Sequence, residues 1–85
     1  MQIRMKLIRI KETTGNVKWV NLDHVTLIDQ VNPGDLTADN FAEGDAAFND
    51  PNLEVYAVCV RGPNGWWKIL TREQPSSIIN KGDKQ

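Results

Sequence analysis

The sequence predicts a mainly β (α+β) fold: a five-stranded antiparallel meander, bent into a curved sheet or small half-open barrel, with a short C-terminal helix and a long acidic loop. Three observations predict it. Apolar and polar residues alternate with period two in several short runs, the mark of half-buried strands. Turn-forming residues, Gly15-Asn16 and Gly62-Pro63-Asn64-Gly65, separate neighbouring runs. No helical stretch of crossover length lies between strands, which excludes a parallel α/β sheet.

Each element follows from its residues. Residues 3–11 alternate as Ile3, Met5 and Leu7 against Arg4 and Lys6. The phase then slips at Leu7-Ile8, which predicts a bulge near Leu7. Thr13-Thr14-Gly15-Asn16 is a turn, and residues 17–22 pair back as the second strand. Asn21-Leu22-Asp23-His24 interrupts the run. Residues 25–31 form a third strand, with Val25, Leu27 and Asp29 on one face and Thr26, Ile28 and Gln30 on the other. Asn32-Pro33-Gly34-Asp35 stops it.

The stretch 32–52 is an acidic insertion, rich in Ala, Asn and Asp. Asp35 or Thr37 is expected to cap a short helix there, Phe48 to anchor its far end to the core, and the segment to be mobile. Residues 53–61 are apolar on both faces, so this strand is expected to be central or sandwiched. Residues 66–70 return as the fifth strand. Pro75 suits a first helical turn, and a helix over about 75–81 is expected to dock Ile78 and Ile79 and end at Gly82.

Eighty-five residues and 9.6 kDa fit a single domain, 1–85, with a thin core. Self-association is one physical remedy for so small a core. The longest apolar runs are far too short to span a membrane, and the N-terminus lacks a signal peptide's apolar stretch. A cytoplasmic location is therefore expected, where Cys59 stays reduced. One Cys and one His exclude a disulfide within the chain and a Cys- or His-rich metal site. No cofactor or metal is expected.

Charge is partitioned. Residues 1–18 carry a net +4, residues 19–60 a net −8 with no Lys or Arg, and residues 61–85 a net +3. The bland reading is a solvated acidic loop beside ordinary surface lysines. The sharper one is that oppositely charged faces complement each other, within one molecule or between copies.

Trp66-Trp67 is the most informative pair. Neighbouring strand residues point to opposite faces, so both indoles cannot enter one core. One can pack inward while the other is covered by the acidic loop or a cross-strand partner. Alternatively, the exposed ring meets a protein partner. A third reading stacks it on single-stranded nucleic acid, with Arg61 and Lys68 neutralising phosphates and Arg4, Lys6, Arg9 and Lys11 on a neighbouring strand.

Asp23-His24 raises the question of general-base catalysis, but neighbours in an extended segment point apart, and His24 reads as a turn residue. Cys59 reads as an inert core residue. The spacing of Asp35, Asp39, Glu43 and Asp45 does not match a calcium-binding loop. The acidic block also suits a mimic of nucleic acid that inhibits a binding protein.

The run Met5-Lys6-Leu7-Ile8 through Gly15, then Val20-Asn21 and Asp23, resembles the opening of short bacterial FlbD-like proteins. Val55 to Leu70, with Glu73 and Ile78-Ile79, resembles their second half. About two-thirds of the chain is covered; the insertion 32–52 and Trp66-Trp67 depart from the pattern. The resemblance implies a small, non-catalytic β-rich domain from a family associated with flagellar operons, and carries over no site residues.

The expectation is thus a non-enzymatic protein-interaction module, a homo-oligomer, binding through Trp66, Trp67, Arg61 and Lys68. The alternatives are a single-stranded nucleic-acid binder using the same hairpin and the acidic mimic.

Overall fold

Gly15 takes φ +94°, and the chain reverses there between Leu7–Lys11 (β1) and Val17–Asn21 (β2). A computed structural model describes residues 6–83. The two strands pair antiparallel, Ile8 opposite Val20 and Ile10 opposite Lys18. Ile8, Ile10 and Val20 therefore share a buried inner face. Residues 3–5 of the expected first strand, which define the phase before Leu7, lie outside the described residues.

A single 3₁₀ turn at Leu22–His24, capped by the Asn21 side chain, ends β2 and redirects the chain. Val25–Val31 (β3), Val55–Gly62 (β4) and Gly65–Thr71 (β5) form a second antiparallel sheet in the order β3-β4-β5. The five strands thus make two sheets rather than one continuous meander, because β2 and β3 do not pair. The described strands do not close into a barrel. One bridge, Glu12 to Thr71, links the end of β1 to the end of β5.

The inner faces of the two sheets meet in one core of Ile8, Ile10, Val20, Val58, Val60 and Ile69, joined by Ile78. Ile78 comes from Pro75–Asp83 (α1), whose first turn starts at the expected proline. Only Ile78 docks; Ile79 stands 51% exposed, since consecutive helical residues point about 100° apart. The helix runs through Gly82 rather than stopping at it.

Two further expectations are corrected. The alternation of β3 breaks between Val25 and Leu27, where the register against β4 shifts. Val25 faces Val60 on the inner side, whereas Leu27 faces Cys59 on the outer side. The stretch 32–54 holds three 3₁₀ turns, Pro33–Asp35, Ala38–Asn40 and Ala46–Asn49, instead of a helix. Thr37 stands at the start of the second turn, where Asn40 Oδ1 accepts its N–H at 2.8 Å; Asp35 caps none of the turns.

Leu36 and Phe41 lie over Val55, flanked by Val31, Leu53 and Leu70, on the outer face of the β3-β4-β5 sheet. Phe48 leans on Phe41, ring centres 5.5 Å apart, and stays outside this cluster. The Ala42 N–H donates to the Thr13 carbonyl and ties the segment to the first hairpin, while the Thr13 N–H donates to the Leu70 carbonyl and ties that hairpin to β5. The central strand β4 is consequently covered on both faces along Val55–Val58. No helix of the described residues is long and apolar enough to cross a membrane.

Candidate functional site

The β4–β5 hairpin turns through Pro63-Asn64, with Gly62 opposite Gly65. Gly65 takes φ +123°, a conformation that side chains with a Cβ rarely adopt. This turn sets the register that pairs Arg61 with Trp66, Val60 with Trp67 and Cys59 with Lys68. Directly opposed residues share a face. Trp66, Arg61 and Lys68 therefore occupy the outer face, and Trp67 the inner one.

Both indoles remain accessible. Trp66 is 65% exposed and Trp67 41% exposed. Trp67 shares the face of the core but lies at its edge, opposite its last buried residue, Val60, with its indole beside Gly62. The hairpin thus brings together three of the four sequence-predicted residues and places Trp67 on the other side of the sheet.

The outer face is divided. Its Val55 end lies under Leu36 and Phe41. Its hairpin end is bare and carries Leu27, Cys59, Lys68, Arg61 and Trp66 in adjacent rows. Leu27 is 51% exposed. Cys59 is half-buried on this outer face, which corrects its assignment to the core. Its neighbours across the strands are Leu27 and Lys68, so an apolar strip is flanked by two cations.

Trp19 was not singled out by the sequence reading. It lies on the outer face of the β1–β2 hairpin, opposite Arg9, and is well exposed. Parity could have found it, because buried Val20 must point the other way. Arg9 and Lys11 share that outer face with Trp19. Arg61 and Lys68 lie on the outer face of the second sheet, so the two aromatic–cation sets belong to different layers. Arg4 lies outside the described residues.

Asp23 and His24 stand exposed on the 3₁₀ turn. Among the described residues, no three His, Cys, Asp or Glu side chains are grouped to hold a metal ion. An open cleft of about 530 Å³ lies between the first hairpin and residues 72–74, lined by Glu12, Asp50 and Glu54 together with Lys11 and Arg72. In its wall Gln74 Nε2 donates to Glu54 Oε2 at 2.8 Å, and Tyr56 donates to the same oxygen at 3.1 Å. These bonds, that from Gln74 first, hold the Glu54 carboxyl below the usual carboxylate range.

Comparison with known proteins finds no matching family model, curated protein or solved structure.

Proposed function

We propose that this protein is a small non-enzymatic interaction module that binds protein, and associates with itself, through the outer face of its β3-β4-β5 sheet. The observation that carries the reading is the accessible indole of Trp66, opposite Arg61 and two residues from Lys68 on the same face, with exposed Leu27 in the next row on β3. Tryptophan and arginine are enriched among residues that dominate interface energies. A small sheet with one end of a face bare has apolar area to cover.

Catalysis requires a water-excluding pocket around its acid or base, and His24 is exposed at the end of a surface turn.

The test is sedimentation equilibrium over a wide concentration range. The wild type is expected to exceed the 9.6 kDa chain mass. Trp66→Ala is expected to weaken association about 30-fold, the effect of losing a hot-spot side chain. Trp19→Ala, on the other layer, leaves it unchanged. A wild type that stays at the chain mass removes the self-associating reading.

A second reading, single-stranded nucleic acid on the same face, is favoured by the adjacency of Trp66 to Arg61 and Lys68. Two cations support a salt slope of only about −1.4 in log–log form. Oligonucleotide quenching of tryptophan fluorescence at low salt, lost in Trp66→Ala, would establish it in place of the first.

A further inference from the structure

The outer face of the β3-β4-β5 sheet is stepped, and its charges divide at the step. On the bare end, Arg61 and Lys68 are both exposed. On the segment laid over the other end, Asp35, Asp39 and Glu43 are exposed. Among the described residues, ion pairs join Lys18 to Glu12 and Lys81 to Glu73, and none joins these five side chains. They also make no side-chain hydrogen bonds there. Along β4, Arg61 lies six steps from Val55, about 20 Å, and Cys59, which pairs with Lys68, lies four steps away, about 13 Å. Both spans exceed the distance over which exposed charges act in physiological salt, about 8–10 Å. The two sets are thus poorly placed to neutralise each other within one molecule.

We propose that the occupant of the bare end is the acidic segment of a second copy of this chain. The proposal rests on the reading that this face binds protein, and it names the partner and the arrangement. A two-fold axis between two facing sheets, crossing their strands at right angles, brings the raised end of each copy over the low end of the other. The segment around Leu36–Phe41 of one copy then covers Trp66, Leu27 and Cys59 of its mate. Asp35 and Asp39 meet Arg61 and Lys68 twice, once on each side of the axis, as an isologous interface requires. The competing arrangement, bare end on bare end, sets four cations against one another and is disfavoured by like-charge repulsion. The same step supplies both shape and charge, and the acidic block without a single Lys or Arg becomes one half of a self-complementary surface.

Charge reversal tests this directly. One variant carries Arg61→Glu and Lys68→Glu, and a second carries Asp35→Lys and Asp39→Lys. All four side chains are exposed, and near-ultraviolet dichroism of the tryptophans checks that each variant keeps its fold. Each variant alone is expected to associate about ten-fold or more weakly than the wild type, because all facing charges are then alike. An equimolar mixture restores pairing, because each contact is again between opposite charges; native mass spectrometry reads the mixed dimer at the summed mass. Reversed variants that pair as well as the wild type overturn the proposal, and so does a mixture that stays monomeric. If Trp66→Ala abolishes pairing while charge reversal does not, the interaction face stands and the stepped arrangement falls. If the wild type is monomeric throughout, the stepped arrangement falls together with self-association, while the reading that this face binds a different protein is untouched.

Discussion

Tyr56, the one tyrosine of the chain, is buried at the edge of the inner face with its hydroxyl donating to Glu54. Burial pushes its phenol pKa up, and the bond to Glu54 with that carboxylate's charge adds to the shift. A raised folded pKa means that the native state holds the proton more tightly than the unfolded chain. The stabilisation is complete below the ordinary phenol value of about 10 and fades as pH climbs through the folded value. Glu54 runs the other way: its stabilisation is present above the usual carboxylate pKa and is lost as pH falls through its lowered one. Absorbance titration is expected to place Tyr56 above 10, and Glu54→Gln to move it down without removing the part due to burial. An unchanged midpoint in the variant refutes the coupling. Strand parity, which needs only neighbouring residues, separated Trp66 from Trp67; it could not tell that the core ends at Val60, leaving Trp67 beside Gly62 at the rim.

Strand β1 shows how an element borrows partners from side chains. One edge pairs with β2. On the other, Glu73 accepts the Lys11 N–H at 3.0 Å, Thr71 Oγ1 donates to the Lys11 carbonyl at 2.8 Å, and Lys81 donates to the Arg9 carbonyl. Glu73 and Lys81 also pair with each other. Such cover prevents an open edge from pairing with a stray chain. Glu73→Ala is expected to cost about 1–2 kcal/mol and to speed hydrogen exchange at the Lys11 amide, while Glu73→Gln keeps much of that protection through its amide oxygen. Exchange at the Lys11 amide unchanged from the wild type in Glu73→Ala would show that Glu73 does not guard the edge. The bounds of β3 were legible, because Val25–Val31 is rich in branched residues and Asn32-Pro33 stops it. Its register shift was not, because a bulge is defined only against the partner strand.

At the scale of the molecule, the β3-β4-β5 sheet is covered twice: by the β1–β2 hairpin and α1 on its inner face, and by residues 36–41 on part of its outer face. Phe41 anchors the second cover and is only 6% exposed. Phe41→Ala is expected to cost about 3 kcal/mol, a large share of the roughly 5–10 kcal/mol that holds a domain of this size together. Urea unfolding followed by tryptophan fluorescence and by far-ultraviolet dichroism should shift as one transition. Separate transitions would mean that the acidic segment is an independent unit and not part of the core's cooperative structure.

The sequence by itself determined the strands, the two tight turns, the helix start at Pro75 and the charge partition, because each is encoded within a few residues by periodicity, by glycine and proline, or by simple summation. Only the tertiary structure decided that β2 and β3 part into two layers, that the acidic segment covers one end of a face, and that Trp66 shares the bare end with Arg61, Lys68 and Leu27. Those outcomes depend on which apolar faces bury each other. Burial is a contest between surfaces distant along the chain, which the alternation inside any one strand does not contain.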